Sequence, residues 1–317
     1  MAPEKAAKDR FRYGIGEWYG HLFAQLTPAQ RRSYAGIQAL DKKTRLPQPC
    51  PFRSASVDSS ACRKTGGVCS LRLYHRAAET ANVTVAPGEL GILRATCPNR
   101  FLEGNRIFRW IGEELLGSAE PRVVGEVGFL ESERMDEGAG EGDDVGRIDH
   151  VLVHPAAHPM RWCALEIQAV YFSGTSMGAE FQMLRDHEGD SLPFPARHRR
   201  PDYRSSGPKR LMPQLQIKVP SLRRWGKKMA VVVDEGFFAA LGKMDEVKHV
   251  SNCDIAWFVV RYNEIGEGAV LEPAFVRLTT LERAVEGLTG GYPVSLETFE
   301  DRIKAKIPAN PSAVDLT

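Results

Sequence analysis

A mixed α/β fold, with a sheet flanked by helices, is predicted by three features of this 317-residue sequence. Short strand-like runs recur at 148–154, 162–172, 229–233 and 254–261. Segments with helical spacing lie before and between them, at 28–40, 107–116 and 211–216. The run Met229–Val233 is apolar throughout, as a strand buried on both faces must be. Strands interleaved with helices define the α/β class.

Each element carries its own local signal. Thr27 precedes Pro28 and AQRRSYAGIQAL, which reads as an N-cap followed by proline at the first helical position. Pro47, Pro49 and Pro51 end that helix and open an irregular region to about residue 100. Ile107, Trp110, Ile111, Leu115 and Leu116 share one helical face, and Gly117 follows as a C-cap. Val123 and Val124 open a short segment containing Glu126. The acidic stretch 131–144 holds Gly138, Gly140 and Gly142, which predicts a loop. Val151 and Val153 then alternate with polar neighbours as in a strand. WCALEIQAVYF at 162–172 predicts the next strand, and Leu211–Gln216 a helix ending before Pro220. There is no internal repeat and no glycine-rich phosphate loop, and IGEGAV at 265–270 is not a dinucleotide fingerprint.

Composition excludes several classes. Hydrophobic residues are 43% and charged residues 26%, so neither a disordered nor a low-complexity chain is expected. No apolar run approaches the roughly 18 residues that a membrane helix needs. The charged start MAPEKAAKDRFR is followed by no apolar stretch, so no secretory signal is expected and cytoplasm is the expected compartment. In a reducing compartment, six cysteines point to metal binding or catalysis rather than to a disulfide framework.

The net charge of +2 hides an asymmetry. Residues 197–228 hold 11 Lys or Arg against Asp202 alone, which is +10 in 32 residues and leaves −8 for the rest. Such a segment is either a solvated surface loop or a site for a polyanion, with nucleic acid first, because neutralised phosphates release counterions.

The carboxylates suggest chemistry. Asp149 lies in one strand and Glu166 in the next. Glu166 and Gln168 are two residues apart, so their side chains leave the same face, while Leu165, Ile167 and Ala169 point to the other. Two carboxylates at a sheet edge suit Mg²⁺, which takes one or two acids plus water and phosphate oxygen. Such acids are also common at strand ends for no catalytic reason. His150, His154 and His158 read as strand and loop residues. Cys163 and Cys253 have apolar neighbours and read as core.

The order of short motifs narrows this. Asp149 with Glu166-Ile167-Gln168 resembles the D…ExQ variant of the PD-(D/E)xK nuclease core. CPF at 50–52, Cys62, GGVC at 66–69, CPNR at 97–100, GEVGF at 125–129, IDHVLV at 148–153, LEIQAVYFSG at 165–174, KRLMPQ at 209–214 and MAVVVDEGFF at 229–238 run in the order seen in restriction endonucleases of the NotI and EagI type. The resemblance implies a PD-(D/E)xK core with an N-terminal region bound to a metal by four cysteines. It divides the chain into 1–120 with the metal site, a nuclease core at 121–260, and an extension at 261–317 that completes the core or a dimer surface. Asp149 and Glu166 resemble the metal-binding acids, and Glu126 an accessory acid on the preceding helix. Gln168 stands where most of the superfamily has Lys, and Ile148 where Pro would stand. A neutral amide cannot act as a base, so Gln168 is expected to orient water, or else only to cap a neighbouring backbone group.

Cys50, Cys62, Cys69 and Cys97 are separated by 11, 6 and 27 residues, which are not paired knuckles. They read either as buried small hydrophobes or as a staple for a region without an evident core. The resemblance implies a mononuclear iron site with a structural role, and zinc stays open because both metals accept four thiolates.

Lys209, Arg210, Arg223, Arg224, Lys227 and Lys228 are the expected DNA contacts, some on phosphates and some on guanine edges. Arg63, Lys64 and Arg100, flanking the cysteines, are further candidates. The expected function is that of a type II restriction endonuclease using Mg²⁺ on double-stranded DNA. A G·C-rich palindrome, a homodimer and a cognate DNA methyltransferase accompany that expectation. A repair or phage nuclease with the same core, and a non-catalytic DNA-binding protein, are the alternatives.

Overall fold

The computed structural model describes residues 10–40, 46–53, 61–79, 81–131, 144–174, 176–290 and 294–307. It is α/β, as predicted, with a mixed sheet between helices. The N-terminal part is more regular than its prolines and glycines suggest. Strands β1 (Arg10–Trp18) and β2 (His21–Leu22) precede α1 (Pro28–Ala39), whose N-terminus is closed by a reciprocal capping box between Thr27 and Gln30. The region expected to be irregular contains β3 (Val68–Arg76), β4 (Thr84–Val85) and β5 (Arg94–Ala95). These join β1 and β2 in a five-stranded sheet. β1 was illegible because its pairing is supplied by β3, about 50 residues or more away, from Tyr13↔Leu73 to Trp18↔Val68. Ile15, Trp18, Phe23, Leu71 and Tyr74 form the core that this region was expected to lack.

Helix α2 (Arg106–Ile111) continues as a π-turn to Leu116, and Gly117 ends it with a left-handed φ of 73°. Then comes the central sheet. Its strands are β6 (Arg122–Glu131), β7 (Asp144–Val153) and β8 (Trp162–Ile167), each antiparallel to the next. The acidic stretch at 131–144 lies outside the described residues except for its ends. After β8, the short hairpin partners β9 (Phe172–Gly174) and β10 (Arg199–Pro201) flank α3 (Gly178–Asp186). The strand expected at 162–172 is thus interrupted. Its backbone leaves the sheet after Gln168, and Val170 N–H is bonded to the Ala95 carbonyl at 2.8 Å instead.

Two helices follow, α4 (Tyr203–Ser206) and α5 (Met212–Arg224). The helix was expected to stop before Pro220, yet it runs through it. Leu211, Leu215, Val219 and Leu222 all enter one core on the sheet. Each buried aliphatic side chain contributes about 1.5–3 kcal/mol, enough to offset the hydrogen bond that proline removes. Strand β11 (Met229–Asp234) is parallel to β8 and leads into α6 (Glu235–Ala239). Its Met229, Val231 and Val233 face α5, and Ala230 and Val232 face α2. β12 (Ile255–Ile265) is parallel to β11, and β13 (Gly268–Thr279) is antiparallel to β12, giving the order β13-β12-β11-β8-β7-β6. α7 (Leu281–Thr289) packs beside α5, and α8 (Leu296–Lys306) is exposed along its length. Among the described residues no helix is long and apolar enough to cross a membrane.

Polar links join the two sheets. Arg72 makes a bidentate contact with Glu264 at 2.8 and 3.0 Å. Leu22 N–H reaches the Glu267 carbonyl at 3.1 Å, and Ala95 N–H reaches the Asp234 carboxylate at 2.8 Å.

Candidate active site

Strand register brings the acids together. His150 pairs with Leu165 across β7 and β8, so the next residues along, Asp149 and Glu166, are set side by side. On the other side of β7, Gly125 pairs with His150 and Val127 with Ile148, which sets Glu126 opposite Asp149. Three acids therefore occupy one row across three neighbouring strands. Glu126 belongs to β6, not to a helix as expected, and its φ of 48° lies in the left-handed region. Like charges directly opposite one another destabilise a sheet, so this row has a cost that packing does not explain.

The three differ in environment. The Glu166 side chain is 3% exposed, Asp149 is 53% exposed and Glu126 is 78% exposed. Burial first, and the Asp149 charge second, push the Glu166 carboxyl up to about 7, against the pull of Lys218. Lys218, on α5, sets its Nζ 2.7 Å from Glu166 Oε2 and 3.9 Å from Asp149 Oδ1. An ammonium bridging two carboxylates marks a place where a cation is favoured. The donor set of Asp149 and Glu166 fits a hard divalent ion, which asks for one or two carboxylates. Glu126 turns instead to Arg147, at 3.5 Å.

Gln168 leaves the sheet on the Glu166 side and is buried. Its Nε2 donates to the Ala169 carbonyl at 2.6 Å, so one of the two donors of the amide is used locally. Leu165, Ile167 and Ala169 pack into the opposite core, as the alternation required.

Asp149 and Glu126 open onto a cleft of about 930 Å³. Phe52 and Arg53, next to Cys50, form part of its wall, and Phe108 of α2 and His150 line it too. The cysteine region is therefore one side of the cleft lined by Asp149 and Glu126. Cys50, Cys69 and Phe52 make one buried cluster with Cys62 against it. Cys97 N–H is bonded to the Cys69 carbonyl at 3.2 Å. Burial raises the pKa of Cys62, Cys69 and Cys97, and each lies within the field of other members of the set. As the side chains stand, no group of three or more His, Cys, Asp or Glu among the described residues could hold a metal ion. Cys163 and Cys253 are buried, each 1% exposed. His154 accepts from Ala156 N–H at 3.1 Å in the following turn.

The basic segment is divided. Lys209 and Arg210 are exposed in the π-turn just before α5, where Arg210 lies 3.6 Å over the ring of Tyr171, just past β8. Arg223, Arg224, Lys227 and Lys228 lie at its other end, about 20 Å away at 1.5 Å per residue. Arg223 there is held by Asp254 and Glu282. Lys228 donates to the carbonyls of Ser251 and Cys253, and Lys227 sits over the Trp162 ring at 5.3 Å. Arg199 is buried against Glu180 at 2.9 Å. Lys64 donates to the Thr96 carbonyl at 2.7 Å. Arg100, expected to touch DNA, is fully buried instead, because Glu17 and the Ala269 carbonyl claim its guanidinium.

Sequence reasoning missed Lys218 and Gln214. A signal was present: a lone lysine in the apolar row Leu211, Leu215, Val219, Leu222.

The family model described as restriction endonuclease NotI matches residues 37–272, from within α1 to within β13. That stretch contains all four clustered cysteines, the row of acids and the whole of α5. No curated protein matches the chain.

Proposed function

Because the chain belongs to the NotI restriction endonuclease family, we propose that it is a Mg²⁺-dependent type II enzyme that hydrolyses phosphodiester bonds in a specific, G·C-rich palindrome of double-stranded DNA. The observation that carries this reading is the cross-strand pair Asp149–Glu166, two carboxylates set side by side by strand register at the sheet. When bound there, Mg²⁺ would acidify a water and offset charge on the phosphate. Asp149 and Glu166 would hold it. Gln168 orients the attacking water through its Oε1, a role that an amide can fill without moving a proton. Glu126, across β7 from the pair, is the accessory acid at the cleft.

Lys209 and Arg210 lie at the end of α5 nearest Gln168 and Tyr171, and they are the contacts that anchor the backbone beside the cut. Arg224, Lys227 and Lys228 meet a more distant part of the duplex. One core cuts one strand, so cleavage of both strands calls for a two-fold homodimer on a palindrome. A cognate methyltransferase protects the host's own sites.

Cys50, Cys62, Cys69 and Cys97 form a structural metal site, with iron first and zinc second. Their donor chemistry and the packing of Cys50, Cys62 and Cys69 in one cluster support this. Its role is to fix the Phe52–Arg53 wall of the cleft. Less than half a metal per chain in anaerobically purified protein, with all four thiols freely reactive, would remove this part of the reading.

Incubation with plasmid and phage DNA in Mg²⁺ tests the main proposal. Discrete fragments with ends at one repeated sequence are expected. Nicks or a smear would point to a repair nuclease, and binding without cleavage to a non-catalytic protein.

A further inference from the structure

The cation at the acidic pair belongs to the chain. Lys218 is 7% exposed, and an ammonium that deep is destabilising unless it is paired. It has three partners: Glu166 at 2.7 Å, Asp149 at 3.9 Å and the Gln214 Oε1 at 2.9 Å. Gln214 and Lys218 are one helical turn apart, so both emerge on the same face of α5. That face is held in place by Leu211, Leu215, Val219 and Leu222 in the core. The rotation of the helix is thus set by packing, and the rotation aims Lys218 at the carboxylates. A helix needed only for the core would carry an aliphatic residue here, as its four neighbours do. Meanwhile Gln168, two residues beyond Glu166, carries no charge.

We propose that Lys218 is a catalytic residue of this nuclease, supplying from α5 the positive charge that Gln168 does not supply from the strand. In the unliganded protein it is the resident counter-ion of Glu166 and Asp149. When DNA and metal enter, its Nζ turns from the carboxylates to a non-bridging oxygen of the scissile phosphate. It donates a hydrogen bond there. Gln214 is the positioning residue that holds the ammonium over the site. This assignment rests on the reading of Asp149 and Glu166 as a nuclease pair.

The test compares wild type with Lys218→Met, which has similar length and no charge. A duplex oligonucleotide spanning a mapped wild-type cut is the substrate. Single-turnover cleavage in Mg²⁺ should fall by about 100-fold or more, the loss expected for one charge-stabilising donor. Affinity for the same duplex in Ca²⁺ should stay within about threefold, which separates a chemical role from a binding one. Calorimetric affinity for Mg²⁺ without DNA should tighten by about tenfold, because a competing charge has gone. Cleavage within about threefold of wild type would overturn the assignment. So would a joint loss of rate, metal affinity and melting temperature, since that is the pattern of a structural residue. If Lys218→Met does not fold, Gln214→Leu carries the test: about tenfold slower cleavage with an unchanged melting temperature is expected, and an unchanged rate overturns the proposal. A wild type that cuts no duplex defeats the nuclease reading and this assignment together. An active wild type with an equally active Lys218→Met defeats this assignment alone.

Discussion

Arg100 and Glu17 form an ion pair at 2.9 Å in which both side chains are fully buried. Arg100 also reaches Glu103 at 2.9 Å and the Ala269 carbonyl at 2.6 Å, and its guanidinium lies 4.4 Å over Phe52. One side chain thereby ties β1 of the first sheet to β13 of the second and supports the aromatic wall of the cleft. Removing one partner leaves the other charge buried and alone. Arg100→Met should therefore destabilise the protein by about 3–5 kcal/mol, read from denaturant unfolding. A loss below about 1 kcal/mol, within the range of an exposed pair, would show that water reaches the pair.

Asp149→Asn and Glu166→Gln each remove an acid from the proposed metal site. Cleavage should drop by at least about 100-fold in each, while binding of the same duplex in Ca²⁺-free buffer is kept. Single-turnover kinetics beside a filter-binding titration decides this. Retained cleavage in both variants would place the chemistry elsewhere.

The divided basic segment makes opposite predictions for two arginines. Arg210→Ala should lower the slope of log affinity against log salt by about one, as for a lost phosphate contact. Arg223 is already held by Asp254 and Glu282, so Arg223→Ala should leave that slope alone. Asp254 is only 14% exposed and holds Arg223 through two hydrogen bonds, so the loss should cost more than the about 1 kcal/mol of an exposed pair. Equal changes in slope would mean that the acids release Arg223 to DNA.

Glu166 couples stability to pH. Its carboxyl is pushed up to about 7 from an ordinary value of 4.5. Between those values the folded protein binds a proton that the unfolded chain has lost. The contribution of Glu166 is therefore fully present below the lower value and is lost as pH rises through the upper one. If Glu166 is a Mg²⁺ ligand, as proposed, the ion would need the ionised form and would compete with that proton. The rise in melting temperature on adding Mg²⁺ should be larger at about pH 8 than at about pH 6. Scanning calorimetry with and without the ion measures it, and equal rises would exclude Glu166 as a ligand.

Local patterns in the sequence determined much of the core. Period-two alternation placed Glu166 and Gln168 on one face and Leu165, Ile167 and Ala169 on the other. An unbroken apolar run marked β11 as a strand buried between helices. Thr27 and Pro28 marked the start of α1. These are properties of a few neighbouring residues, and the chain carries them wherever it folds. Tertiary structure alone decided that Glu126, Asp149 and Glu166 share a row, because register belongs to pairs of strands. It alone decided that Lys218 meets Glu166, 52 residues earlier, because the rotation of α5 follows from which side chains fill the core. The charge run at 197–228 is uniform as a string of letters, yet folding paired Arg199 and Arg223 with acids, buried Lys218 and left Lys209 and Arg210 in solvent. A charge reads the same in sequence in every case, and only the partner brought to it by a distant segment determines whether it is buried, paired at the surface or left in solvent.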